Sequence, residues 1–273
     1  MSQQIRFFRK NIIDLQNTDG SITVTDAVAT DNGQDIVDYV RNRNNFSAWL
    51  TTGSTDAANT TLEVLFGVGR DITDIILVKH NWKAFTIQYW NGSSYVDFST
   101  AINESANADE TTHFNFDSVD TDRIKIIITG CQVVDADKEL YQLVITQGVG
   151  SGQLAGWPVI KSPTHDSNKR KSKMLSGKIN VVESTGAFGC ELEVSNWKIE
   201  NDINILEWLY FSREGVILWL CGGDEGQFTI QARGYRKEDL FYVRATNNYE
   251  PEFVRGIYTA GFKIKLALQE AIE

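Results

Sequence analysis

Short runs of β-forming residues, separated by polar turns, recur through the first half of this chain and constrain its fold most strongly. Thr60–Gly67 and Ala84–Trp90 alternate apolar and polar side chains, the pattern of a strand with one buried face. Asp74–Lys79 is almost continuously apolar, as expected of a strand covered on both faces. Asn91-Gly92 stands before another alternating run, Tyr95–Phe98, and predicts a β-hairpin because Asn and Gly tolerate positive φ. Together these segments predict a β-sandwich.

The second half combines strand candidates with one helix. Asn201 is a favourable N-cap residue and Gly215 lies where a left-handed C-terminal cap is expected. Between them, apolar residues recur at helical spacing: Ile203, Leu206, Leu209 and Tyr210. The predicted strands are Leu175–Glu183, Gly189–Trp197, Val216–Cys221, Gln227–Ala232, Leu240–Ala245 and Gly261–Leu268. We therefore expect a barrel or sandwich with one flanking helix.

Charge and composition change between the two halves. Residues 1–157 hold 11 basic and 20 acidic side chains, a net charge of −9, whereas residues 158–273 hold 15 and 16, a net charge of −1. Gly, Ser, Pro and charged residues are concentrated at this boundary, which is typical of a linker or long loop. We predict a mainly β protein: a jelly-roll-like β-sandwich with an extended N-terminal segment over 1–157, a linker or loop over 158–173, and a barrel with one helix over 174–273.

Composition excludes several functional classes. A net charge of −10 argues against general binding of duplex DNA, which needs cationic patches. Three cysteines without CxxC spacing argue against a disulfide scaffold or a zinc site. The three histidines lack the spacing of a helical metal site, so we expect no cofactor, no metal and no enzymatic activity. Charges within Met1–Lys10 are unlike a signal peptide, and no apolar run has membrane-spanning length.

Two acidic clusters and one reaction class stay open as alternatives. Asp117–Asp122 and Asp135–Glu139 offer carboxylates at a spacing that a calcium ion could use, although solvated turns are the usual structure of such clusters. A pair of carboxylates for glycoside hydrolysis converges in space rather than in sequence, so the sequence leaves that activity open.

Aromatic residues near the predicted hairpin provide a candidate contact surface. Trp82, Trp90 and Tyr95 could stack on a sugar or on a partner protein. The competing interpretation is ordinary packing of half-buried strands.

A basic cluster follows the boundary between the two halves. Lys169, Arg170, Lys171 and Lys173 form either an exposed, solubilising loop or an inter-subunit arm that lies on the acidic first half of a neighbouring copy.

Residues of about 45–147 resemble the galactose-binding-like, discoidin-type β-sandwich. The segments that carry the resemblance are Phe46–Leu50, Asp74–Asn81, Phe85–Gly92, Phe114–Ile127 and Tyr141–Thr146. That family includes sugar binders and purely structural modules, so the resemblance implies a fold rather than a ligand.

Residues of about 170–270 resemble the ring-forming domains of tail-tube and distal-tail proteins in tailed bacteriophages. The segments concerned are Trp197–Trp208, Gly215–Gly223, Gly234–Leu240 and Pro251–Phe262. In that family, domains join edge to edge around a channel, and appended sandwiches act as docking sites.

The second resemblance leads to our main functional expectation, a structural virion protein of a phage tail tip or baseplate. Its partners would be copies of itself in a hexameric or trimeric ring and other tail proteins or fibres, with DNA passing through the channel without specific binding and no membrane contact. It would be made in the host cytoplasm and reside in the virion tail. The alternative expectation is a carbohydrate-binding module that uses the surface aromatics.

Overall fold

The computed structural model describes most of the chain and divides it into two compact units. The described residues are 6–15, 20–29, 31–43, 46–153, 159–165, 168–173, 179–184, 188–196, 207, 209–210, 216–219, 240–248, 250, 252–255 and 260–270. One unit, called the sandwich unit below, comprises 8–149 and 238–240. The other, called the composite unit, comprises 1–7, 150–237 and 241–273. The N-terminal segment that the sequence analysis assigns to the first domain thus belongs partly to the composite unit.

The sandwich unit is built on one seven-stranded antiparallel sheet system. Its strands follow the order β3-β8-β4-β7-β5-β6, with β2 paired to β4. A 3₁₀ helix, Gln34–Arg41, lies between β2 and β3. The strands are β2 (Ser21–Asp26), β3 (Trp49–Leu50), β4 (Thr60–His80), β5 (Trp82–Trp90), β6 (Tyr95–Glu104), β7 (Thr112–Cys131) and β8 (Glu139–Thr146).

The long strands β4 and β7 form both layers of the sandwich. The first part of β4 pairs with β2, and its last part pairs with β8, while β7 pairs with both parts. The register between β4 and β7 shifts between Leu65 and Arg70, where Gly67 has a φ of 78°. A positive φ and a register shift bend the pair, so each half can enter a different layer.

One apolar core joins the two layers. Leu62 and Val64 of β4, which alternate with half-buried residues, lie in the same buried cluster as Ile75 and Leu77 from the other end of the strand. Ile75–Val78 are fully buried. The predicted alternation and the predicted fully buried strand are both confirmed, as is the hairpin of β5 and β6.

The composite unit contains an eight-stranded sheet and a separate pair of strands. The sheet order is β10-β13-β17-β15-β14-β1-β9, with β16 paired to β17. The strands are β1 (Arg6–Phe8), β9 (Gly148–Gln153), β10 (Val159–His165), β13 (Phe188–Asn196), β14 (Val216–Trp219), β15 (Leu240–Ala245), β16 (Glu252–Arg255) and β17 (Ala260–Glu270). Over the described residues this sheet is open, with β10 and β9 at its edges, so of the predicted barrel or sandwich no closed barrel is observed there.

Strands also occupy the segment that the sequence analysis predicts to be a linker. β10 covers Val159–His165, and β11 (Asn168–Lys173) pairs with β12 (Ile179–Ser184) to form a ribbon. Within the described residues, β11 and β12 pair with no other strand. Polar composition indicated a loop here because cross-strand pairing cannot be recognised from local polarity.

The predicted helix falls largely outside the described residues. Residues 207, 209 and 210 are helical, and Leu209 is buried. No helix among the described residues has the length and apolar character needed to cross a lipid bilayer.

Acidification should destabilise the sandwich unit through His80. The imidazole of His80 is buried, and desolvation lowers its pKa from 6.5 to about 4. His80 therefore becomes protonated near pH 6.5 in the unfolded chain but only near pH 4 in the folded chain. The stabilisation is complete above pH 6.5 and is lost as the pH falls towards 4, by about 3 kcal/mol in total.

Hydrogen exchange of sandwich-unit peptides in urea, measured between pH 7 and pH 4, tests this dependence. His80→Gln should remove most of the slope above pH 4. Asp26 and Asp74 act in a lower window: burial raises the pKa of each carboxyl, but hydrogen bonds outweigh it and lower the pKa below 3.8. Their contribution is lost only below pH 3.8, so an unchanged slope in His80→Gln would contradict the assignment to His80.

Candidate binding surface

A patch of aromatic and charged side chains lies on β4, β7, β5 and β6 beside the turn that joins β5 to β6. Trp90 and Tyr95 are opposite each other across the hairpin, with ring centroids 5.2 Å apart and planes at 66°. The hydroxyl of Tyr95 donates a hydrogen bond to the carboxylate of Glu63 on β4. We call Glu63, Trp90, Tyr95, Arg123 and Lys125 the Trp90–Tyr95 patch; all five side chains are half-buried.

Strand alternation places the patch on the face opposite the core. Ile124 and Ile126 of β7 belong to the core cluster, and Arg123 and Lys125 occupy the alternate positions. Successive residues of a strand point to opposite faces of a sheet, so these two cations lie on the outer face. The patch is therefore an outward-facing surface supported by a rigid apolar layer.

Each aromatic ring of the patch has a cation above it. The guanidinium carbon of Arg123 lies 5.0 Å from the ring centroid of Trp90, and the Lys125 ammonium lies 3.8 Å from that of Tyr95. Asp122 accepts hydrogen bonds from Arg123 Nε and Nη2 at 3.1 and 3.2 Å. Each contact sets a cation against the electron-rich face of its ring.

The charge states of the patch follow from these contacts. Burial and the hydrogen bond to Glu63 raise the pKa of Tyr95 above its ordinary value. The hydrogen bond to Asp122 raises the pKa of Arg123. At neutral pH the patch therefore presents a neutral Tyr95 phenol and a permanent Arg123 guanidinium beside the Trp90 ring.

The turn beside the patch is held by its own side chains. The side-chain oxygen of Asn91 accepts hydrogen bonds from the backbone N–H groups of Ser93 and Ser94, both at 3.0 Å. Gly92 adopts a φ of 96°, which L-residues rarely adopt. These contacts hold the ends of β5 and β6 in place and with them the Trp90–Tyr95 pair.

Trp82 is not part of this surface. It begins β5 whereas Trp90 ends it, and its side chain is fully buried in the core, 5.2 Å from the His80 ring and 5.8 Å from that of Phe85. The sequence analysis groups Trp82 with Trp90 and Tyr95, and the structure corrects that grouping. Trp82 lies three positions before the buried Phe85, so regular strand alternation would place the two side chains on opposite faces. A register irregularity between Trp82 and Phe85 interrupts that alternation, and the Trp82 ring lies in the core.

The basic cluster lies on strand β11 rather than in a loop. Lys169, Arg170, Lys171 and Lys173 occupy successive register positions opposite Glu183, Val182, Val181 and Ile179 of β12.

Glu63, Arg123 and Lys125 are the patch residues that the sequence analysis misses. They are distant in sequence from the hairpin, and only the pairing of β4, β7 and β5 brings them to it. The one local signal is that Arg123 and Lys125 alternate with buried isoleucines, which predicts their face but not their neighbours.

The acidic clusters do not form a metal site in the part of the chain that the structure describes. No group of three His, Cys, Asp or Glu side chains there could hold an ion. In the second cluster, the Asp137 carboxylate accepts a hydrogen bond from the backbone N–H of Ser54 at 2.8 Å.

Comparisons with known proteins return weak structural likenesses only. No protein-family model and no curated protein matches this chain. One similar structure is chitosan-binding module 1 of a chitosanase/glucanase from Paenibacillus sp. IK-5, with 12% identity and a TM-score of 0.39 over 50% of this chain and 98% of that one. Another is the family 32 carbohydrate-binding module of NanJ from C. perfringens in complex with galactose, with 18% identity and a TM-score of 0.37 over 52% and 98%.

A third similar structure is the GH29 fucosidase of Ruminococcus gnavus in complex with fucose. It has 12% identity and a TM-score of 0.40 over 53% of this chain and 28% of that one. Similarity of this degree does not transfer a ligand or an activity to this chain.

Proposed function

We propose that the sandwich unit is a non-catalytic carbohydrate-binding module and that the Trp90–Tyr95 patch is its contact surface. The observation that supports this most is the outward-facing pair of aromatic rings, set between hydrogen-bonding groups that are already held in place. Carbohydrates present apolar C–H faces beside hydroxyl groups, so a surface that combines rings with fixed polar groups matches them chemically.

Binding would divide between the two kinds of group. The C–H face of a sugar ring packs against Trp90, while hydroxyl groups exchange hydrogen bonds with Arg123 and Glu63. Because Tyr95 and Arg123 are already held by Glu63 and Asp122, ordering the patch costs little on binding. No bond is made or broken in this function.

A glycan array tests the proposal with the full chain, its Trp90→Ala variant and a matched aromatic control. The panel includes chitosan oligosaccharides and galactosides. We expect binding to at least one glycan and a loss of tenfold or more in Trp90→Ala, which corresponds to about 1.4 kcal/mol. Tyr39→Ala removes an exposed aromatic ring of the 3₁₀ helix and should bind as the unchanged protein does.

Two outcomes would contradict the module. One is a panel on which the unchanged protein binds nothing. The other is binding that Trp90→Ala retains while thermal unfolding shows that the variant is folded.

A ring-forming component of a phage tail tip or baseplate is the second candidate function. Over the residues that the structure describes, the sheet of the composite unit ends at β10 and β9, and this favours the candidate because strand edges can be completed by another copy. Its partners would be further copies of this chain and other tail proteins, and its location the virion. Negative-stain images of the full chain should then show closed rings. The candidate would be removed if tail particles that contain this chain showed no ring formed by it.

A further inference from the structure

Three loops meet at one end of the sandwich unit and are tied together by side-chain hydrogen bonds. The hydroxyl of Ser54 donates to Asp26 at 3.0 Å, and the backbone N–H of Ser54 donates to Asp137 at 2.8 Å. The backbone N–H of Asp135 donates to Asp56 at 3.1 Å. We call the solvent side of residues 26–29, 31, 51–59 and 131–139 the acidic loop face.

The acidic loop face exposes three valines. Val133 and Val134 are consecutive in loop 131–139 and are 65% and 75% exposed, and Val28, in another of the three loops, is 57% exposed. Single exposed apolar residues are common, but consecutive exposed apolar side chains on a hydrogen-bonded loop are typical of an interaction surface. The loops therefore offer apolar contact area on a fixed scaffold.

Every charge that this face presents to solvent is acidic. The only Lys or Arg in these loops is Lys138, which is fully buried. The exposed or half-buried charged residues are Asp26, Asp31, Asp56, Asp135, Asp137 and Glu139. Such a face repels anionic membranes and nucleic acids and attracts a partner that combines cations with apolar residues.

The chain itself contains a segment of that composition. Strand β11 holds four of its six residues as Lys or Arg, and β12 contributes Ile179, Val181 and Val182 to the same ribbon. In the described part of the chain this ribbon pairs with no further strand.

We propose that the β11–β12 ribbon of one copy docks on the acidic loop face of a second copy. The valines supply apolar contact, and the carboxylates around them select the cationic strand. This interface is separate from the Trp90–Tyr95 patch. It names the residues through which copies would associate, whereas the ring candidate does not specify them.

Sedimentation velocity of the full chain, over concentrations up to about 100 µM and from about 50 to about 500 mM salt, tests the interface. We expect self-association that weakens as salt rises. Val133→Ser with Val134→Ser should weaken it by tenfold or more, whereas Val68→Ser, which removes a valine 52% exposed on β4, should leave it unchanged.

Charge reversal identifies the occupant. Replacing Lys169, Arg170, Lys171 and Lys173 with Glu should abolish self-association, and mixing that variant with Asp135→Lys, Glu139→Lys should restore a heterologous complex. Three results would each overturn the proposal: a monomer throughout, association that ignores the valine substitutions, or failure of the charge-reversed pair to associate. Glycan binding by the valine variants is a separate measurement and should be retained whichever result is obtained.

Discussion

Replacing Gly33 with alanine should lower the free energy of unfolding of the sandwich unit by about 4 kcal/mol. Gly33 precedes the 3₁₀ helix with a φ of 75°, a conformation that costs an L-residue about 1–2 kcal/mol. A Cβ there would lie 2.4 Å from the carbonyl oxygen of Leu50 and 2.6 Å from Nε1 of Trp49. The Trp49 ring is fully buried and donates to the carbonyl oxygen of Gly33 at 3.1 Å, so it has little room to yield.

Gly53→Ala is the matched control for this effect. Gly53 has a φ of 83°, but a Cβ there meets nothing within 4 Å. It should cost about 1 kcal/mol, which reports the backbone conformation alone. Urea unfolding followed by hydrogen exchange of sandwich-unit peptides measures both variants, and equal losses would show that the close approach at Gly33 has no energetic consequence.

Replacing Lys138 with alanine should cost the sandwich unit about 5 kcal/mol. The Lys138 side chain is fully buried, and its ammonium donates to the Ser54 hydroxyl at 3.0 Å and to the carbonyl oxygen of Thr55. Removing it leaves the carbonyl oxygen without that partner, creates a cavity the size of three methylene groups and the ammonium, and takes away a buried cation from these loops. Each of these effects destabilises the folded state.

Lys138→Met separates volume from charge. Methionine fills most of the cavity but cannot donate a hydrogen bond, so it should cost about 2 kcal/mol. Lys83→Ala, at an exposed position on β5, should be nearly neutral. If Lys138→Met proves as stable as the unchanged protein in the same exchange measurement, the ammonium contributes nothing to holding the loops.

The strands of the sandwich unit could be predicted from the sequence because each carries its own periodicity. Leu62 and Val64 alternate with polar residues, and Ile75–Val78 form an unbroken apolar run, so burial on one or two faces follows from local pattern. The bend of β4 at Gly67 could not be predicted, since a two-layer arrangement of one strand depends on partners far along the chain.

The composite unit shows where local pattern fails. Its sheet includes β1, from the first ten residues, together with β17, from the last fifteen. A change in local composition does not predict that strands so far apart in the sequence belong to one sheet. Strand β11 holds four Lys or Arg residues among its six, which lowers its predicted β-propensity, yet it pairs residue for residue with β12.

Part of the candidate site could also be predicted from local sequence pattern. Trp90 and Tyr95 flank a recognisable Asn-Gly turn, so their proximity could be predicted from the sequence. Arg123 and Lys125 enter the site through strand pairing alone, and Trp82 leaves it through a register irregularity that the sequence does not mark.

The most direct test of the carbohydrate-binding account is to follow the indole N–H signals of the seven tryptophans by NMR while the tightest array glycan is added to the full chain. Trp90→Phe identifies the Trp90 signal, and the same substitution at positions 49 and 82 identifies the two buried rings. The account predicts that the Trp90 signal shifts in a saturable way while those of Trp49 and Trp82 stay in place. Saturable binding that leaves the Trp90 signal unmoved would contradict it.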